Sequence, residues 1–286
     1  MTAETLTPRR NPSPSIRSDA RLTFPRILRS EWIKLTSLRS TLWSLALIVV
    51  LGVGMSLLVA SLGFGVGVDG PSAPDPGTVL MTATIGVAFG QLIAAVLGVL
   101  VISGEYSTGM IRSTLAAVPA RLPVLAAKSI VLFLLVTLVG AVTMFGAWAV
   151  SYPVLESQGL AVGLDKPGLA LALAGAAVYL GLTAVFALGL GTLLRSAAGG
   201  IAAALGIILV LPTVLPLLSL AIDWVDEIAP YVFSNAGTAM ARLASESPVE
   251  PMGQTLLDPW VGGLVVLAWT LVSLALGAIV LRRRDA

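Results

Sequence analysis

Six long apolar segments account for most of the chain, at residues 41–63, 79–102, 125–150, 169–194, 198–221 and 260–281. A run of ~20 apolar residues matches a bilayer core ~30 Å thick, so each segment is long enough to cross as a helix. Hydrophobic residues make up 57% of the sequence and charged residues only 11%, against about 25% charged in ordinary soluble domains. The expected fold class is therefore all-α: a polytopic membrane protein with six transmembrane helices. The spans and their connections leave little chain for a soluble domain.

The charges between the spans alternate in sign. Eight basic residues precede span 1: Arg9, Arg10, Arg17, Arg21, Arg26, Arg29, Lys34 and Arg39. The next loop has only Asp69 and Asp75, and the one after span 2 has Arg112 and Arg121, with Lys128 at the start of span 3. After span 3, Lys166 stands against Glu156 and Asp165; Arg195 occupies the short turn after span 4. The loop after span 5 has Arg242 against Asp223, Asp226, Glu227, Glu246, Glu250 and Asp258, and the tail ends in Arg282, Arg283 and Arg284. Fifteen of the 17 basic residues thus fall on one side, and ten of the 15 acidic residues on the other. The positive-inside rule then places both termini in the cytoplasm and the protein in the cell membrane. Five or seven spans would break this alternation.

Residues 1–23, rich in Pro, Ser and Arg, read as a disordered cytoplasmic tail preceding a transmembrane domain at 24–286. The first apolar run comes too late for a signal peptide. From Phe24 to Arg39, the residues Phe24, Ile27, Leu28, Trp32, Leu35 and Leu38 recur at helical spacing. Arg26, Arg29, Lys34 and Arg39 lie largely off that stripe. Trp plus basic residues suits an amphipathic helix on the cytoplasmic membrane surface, or a short lead-in helix that anchors span 1 by its charge. Gly52, Ser56 and Ala60 in span 1, and Gly86 and Gly90 in span 2, are spaced for close helix approach. Pro212 and Pro216 must kink span 5, either for packing or as a bend beside a transport path. The long loop at 222–259 holds apolar pieces at 228–233 and 239–243 that are too short to span. They suit short helices dipping into the outer interface, with Trp224, Tyr231 and Trp260 at that depth.

Much chemistry is excluded. The chain has no cysteine and no histidine, which removes thiolate nucleophiles, zinc–sulfur sites and the commonest general base. No G-x-x-x-x-G-K-[ST] phosphate loop is present. No Asp, Glu, Lys or Arg falls in the middle of a span, where ion-coupled carriers often need one. Catalytic residues, metal ligands and a cofactor of its own are therefore not expected, and neither is a nucleic-acid partner. Energy for any transport must then come from elsewhere, and another subunit is the simplest supplier.

Between spans 2 and 3, the segment 103–124 begins Ser-Gly-Glu-Tyr-Ser-Thr-Gly-Met-Ile-Arg-Ser-Thr-Leu. Met110, Ile111, Leu115 and Val118 fall on one helical face, with Arg112 turned away and Pro119 as a stop. The run Glu105-Tyr-Ser-Thr-Gly-Met-Ile-Arg112, together with Arg29-Ser-Glu-Trp-Ile-Lys-Leu-Thr-Ser-Leu-Arg-Ser40, resembles the membrane subunits of type-2 ABC exporters, the ABC-2 permease family. Span number and the long loop before span 6 agree with that family over about residues 24–284. The resemblance implies a permease subunit of an ATP-binding cassette exporter. Glu105, Tyr106, Gly109, Ile111 and Arg112 would form a coupling helix docked on a separate P-loop ATPase subunit, which holds ATP and Mg. Glu31, Trp32, Lys34 and Leu35 would belong to an interface helix. A second permease copy or a similar subunit would complete the pair, with Pro212 and Pro216 at a kink lining the path. Glu105 has two readings: a relay to the ATPase, or a structural charge. As a structural charge it is either exposed or bridged to Arg112 or to a basic residue of the surface helix. Rival functions are a stand-alone secondary transporter or channel, and a membrane scaffold or sensor. The apolar spans leave the cargo open among lipids, drugs and hydrophobic peptides.

Overall fold

The computed structural model describes residues 23–63, 74–110, 121–222, 224–243 and 257–283. The expected tail lies outside them except for Thr23, and so do Ile111 and Arg112. The described residues form helices and their connections, with no strand among them. In chain order the helices are α1 (Phe24–Ser37), α2 (Arg39–Leu62), α3 (Pro76–Thr84), α4 (Val87–Ser107) and α5 (Arg121–Ser157). They continue with α6 (Leu169–Leu194), α7 (Ala197–Leu205), α8 (Leu211–Ser219), α9 (Trp224–Ile228), α10 (Phe233–Ala239) and α11 (Pro259–Arg283). Six stretches are long and apolar enough to cross a membrane: α2, α3–α4, α5, α6, α7–α8 and α11. The protein is thus a multi-pass helical membrane protein by length and composition.

α6 is the centre of the bundle, and its sequence explains why. Its Leu, Ala and Gly residues leave no polar face to be kept outside, so every side is free to pack. α4, α5 and α11 surround it, and α2 packs on α5. Glycine lets these helices approach backbone to backbone where lipid gives no hydrophobic drive. A Cβ on Gly98 would collide with the Ala184 carbonyl, and one on Gly189 would stand 2.7 Å from the Ser273 carbonyl carbon. The Gly52, Ser56 and Ala60 seam of α2 is buried, and the Ser56 hydroxyl donates to the Ala147 carbonyl of α5.

Three spans depart from straight rods. Span 2 breaks at Ile85–Gly86, where Gly86 crosses Gly52 so closely that a Cβ would strike the Gly52 Cα. Span 3 runs well past its expected limits of 125–150, because Val124 and Leu155 beyond each end are still buried. Span 5 is divided: a π-helical turn at Gly206–Val210 separates α7 from α8, and the Leu211 N–H bonds to the Gly206 carbonyl. Pro212 has no N–H and its ring displaces the preceding turn, so the wider π turn absorbs the misfit. The Thr213 hydroxyl lies 2.7 Å from the Val210 carbonyl and so offers a donor beside the interrupted ladder.

The stretch after α8 is a hairpin. α9 and a 3-10 turn at Ala229–Tyr231 lie along α8, and α10 then runs along α6 and α11. Its residues climb α6 in reverse order: Phe233 stacks on Phe186 at 4.4 Å, Gly237 rests on Tyr179, and Leu243 reaches Gly168. The turn therefore reaches well inside the bundle, deeper than an interfacial dip. Side chains pair its exposed carbonyls: Trp269 Nε1 donates to Tyr231 O at 3.1 Å, and Asn235 Nδ2 to Ala229 O at 2.8 Å. Non-helical backbone survives at such depth only when protein partners replace water.

Candidate functional site

At one end of the bundle α1, α4 and α5 meet, and each brings charge. α1 starts at Thr23 with Pro25 in its first turn, where a missing N–H costs nothing. A single extended residue, Leu38, joins it to α2. A four-residue spacing, close to one helical turn, brings Ile27, Glu31 and Leu35 onto one buried face. The inward stripe thus includes an acid, while Trp32 is 44% exposed, with Phe24 and Leu38 also open. The apolar stripe read from sequence is split between an inward and an outward face.

Glu31 is 1% exposed, Lys128 2% and Glu105 6%. Lys128 Nζ lies 2.6 Å from Glu31 Oε2 and 2.9 Å from Glu105 Oε1. Lys34 Nζ lies 2.8 Å from Glu31 Oε1 and 3.3 Å from Glu105 Oε1. The result is a closed ring of alternating charge: each carboxylate sits between two ammonium groups, and the net charge is zero. Burial pushes the Glu31 carboxyl up, but Lys128 and Lys34 together hold it below the usual carboxylate range. Burial pulls Lys34 down, yet Glu31 and Glu105 keep it above the ordinary lysine value.

Glu105 is therefore not an exposed charge. Of its structural alternatives, the bridge to a basic residue of α1 is present, through Lys34; Arg112 lies outside the described residues. Its second oxygen, Oε2, is buried with no hydrogen-bond partner among the described residues, as are Ser103 Oγ and Tyr106 Oη. Three unsatisfied polar atoms at one helix end need an explanation that the described part of α4 does not contain. The Tyr106 ring carries the Arg195 guanidinium, 5.4 Å from its centroid. Gly109 ends the helix: its φ of 70° is the left-handed conformation glycine adopts without strain, and its N–H bonds to the Tyr106 carbonyl. The segment carrying Ile111 and Arg112 follows directly.

The neighbouring helix ends are fastened by arginines. Arg121 Nη1 bonds to Leu281 O at 2.8 Å and Arg195 Nη2 to Val280 O at 3.4 Å, so two cations meet the C-terminal carbonyls of α11. Arg195 also closes α6 in a left-handed conformation, φ 53°, and the Ser196 hydroxyl accepts from Gly199 N–H to open α7. Pro212 and Pro216 lie far along that span: Pro212 is half-buried and Pro216 exposed.

The ring brings together Glu31, Lys34 and Glu105 from the expected site. Leu35 is packed beneath it, 2% exposed, and Trp32 stands outside. Lys128 completes the ring, a role that the sequence reading, which places it only at the start of span 3, does not give it. Its signal was a lone lysine followed by an unbroken apolar run, since a cation there requires a counter-charge. No group of three or more metal-ligating acids exists among the described residues. The ring's chemistry is cohesion: it fixes three helices at the start of the 111–120 segment. No protein-family model matches the chain, and the curated proteins include no significant relative of it.

Proposed function

We propose that the chain is the membrane-spanning permease subunit of an ATP-binding cassette exporter, powered by a separate P-loop ATPase subunit. The supporting observation is the position of Glu105. The acid that opens the Glu-Tyr-x-x-Gly-x-Ile-Arg motif lies in the ring that holds α1, α4 and α5 together, just before residues 110–115. A partner pushing on that segment would act on three helices at once through one buried cluster. In this reading both termini and the ring are cytoplasmic, α1 is the interface helix, two permease subunits pair, and the α9–α10 hairpin closes the far side. A rival, a proton-coupled carrier working through this cluster, would have to protonate Glu31 or Glu105 during turnover. Two ammonium groups hold the Glu31 carboxylate ionised, which opposes that use.

The test is purification of the tagged full chain from its own membranes in mild detergent, followed by mass spectrometry. A stoichiometric P-loop ATPase is expected. It should be lost when Ile111 and Arg112 are both replaced by Ala, with the chain still in the membrane. A clean oligomer without any ATPase would refute the reading.

A further inference from the structure

Gln91, Gly98 and Glu105 recur every seven residues along α4, close to two helical turns, and so share one face. That face looks into the bundle. The Tyr179 hydroxyl of α6 donates to Gln91 Oε1. Gly98 presses on α6 at Ala184 so closely that no Cβ fits between them. Glu105 belongs to the charge ring. Tyr179 itself is 0% exposed, and its ring fills the space where a side chain on Gly237 of α10 would stand. One helix thus joins the ring at its end to the seat of the hairpin near its start, with its closest contact on α6 between them. In the same hairpin the buried Ser234 hydroxyl has no hydrogen-bond partner among the described residues. Water reaching an opened hairpin would remove that penalty and so lower the cost of release.

We propose that the Gln91–Tyr179 hydrogen bond is a latch on the α9–α10 hairpin, and that α4, pivoting at Gly98, transmits displacement of Glu105 to it. Gln91 and Tyr179 are positioning residues that need not touch any cargo. The latch's role in transport rests on the permease reading, but the mechanical link is a property of this chain alone. Two states biased at both ends are what such coupling requires.

The natural absence of cysteine makes a single-thiol reporter clean. Ser234→Cys is near-isosteric and lies 5% exposed in the seated hairpin. Its reaction with a small charged methanethiosulfonate reagent is followed on the full chain in nanodiscs. Tyr179→Phe, which keeps the ring seat, and Gln91→Leu, which removes the other partner, should each speed labelling roughly threefold to tenfold, the shift expected for one interhelical hydrogen bond. Glu105→Gln, at the far end of α4, should speed it in the same direction. Ser56→Cys, 0% exposed between α2 and α5, should stay slow in every background. An unchanged Ser234→Cys rate in the Tyr179→Phe and Gln91→Leu proteins overturns the latch. An unchanged rate in Glu105→Gln overturns the transmission, and a parallel rise at Ser56→Cys shows general loosening and overturns both. Failure to purify an ATPase would sink the permease reading and leave this result standing.

Discussion

Lys128 is 2% exposed in a helix that continues as an apolar span, so its charge is tolerable only because two carboxylates meet it. Removing one member of such a cluster strands the others. A buried pair broken from one side typically costs about 3–5 kcal/mol, while replacing both partners by apolar groups is often neutral. Lys128→Met is therefore expected to lower stability by about that amount. Glu31→Gln in the same background should recover a large part of it. A double-mutant cycle on unfolding in mixed micelles would measure this, and additive losses would show that the ring is not cohesive. The pH dependence follows with definite sign. Glu31 is depressed below 4.5, so its contribution is complete above 4.5 and is lost as pH falls through its folded value. Lys34 is raised above 10.5, so its contribution is complete below 10.5 and is lost as pH rises through its folded value. Between about pH 6 and 9 both are present, and the unfolding midpoint should be flat there. A decline beginning at neutral pH would contradict the assignment.

Within one element, α4, two glycines face opposite demands. Gly98 touches the α6 backbone with no room for a Cβ, whereas Gly104 has nothing within 4 Å of that position. Gly104→Ala removes only the entropic penalty of glycine in a helix and should stabilise by roughly 0.5–1 kcal/mol. Gly98→Ala must push α4 away from α6 and should destabilise by several times that, about 2–3 kcal/mol. The pair of unfolding midpoints tests the closeness of the α4–α6 crossing. The contrast also marks how far sequence carries. Gly98 lies in the apolar run and Gly104 just past its end at 102, yet neither composition nor period says which of them meets another backbone. Long apolar segments specify helices because lipid admits little else, and α6 coincides with its apolar run at 169–194. The break at Gly86 and the π turn before Pro212 depend on a neighbour's backbone and a missing donor. Glu31 and Lys128 stand 97 residues apart, a distance over which no local pattern signals a pairing.

The whole molecule gathers its charges by end. Lys34, Lys128, Arg121, Arg195 and the last turn of α11 meet at one end, through contacts that join residues as far apart as Arg121 and Leu281. At the other, Asp75 caps α3 through Thr78 N–H, and Gln158 Nε2 reaches the Ala60 carbonyl. This segregation is what a fixed orientation in a charged-leaflet membrane demands, because Lys and Arg near the span ends resist translocation. The proposed sidedness therefore makes a direct prediction. Ser37 and Ser157 are both exposed, near opposite ends of the bundle, and a cysteine at either is the sole thiol of the chain. In intact cells, Ser157→Cys should react with a membrane-impermeant maleimide and Ser37→Cys only after permeabilisation. The reverse pattern would put the charge ring and residues 110–115 outside, beyond the reach of any ATP-driven partner. Reaction of both without permeabilisation would put the two residues on the same side and require an even number of crossings between them, so that at least one of α2, α3–α4 and α5 would fail to cross.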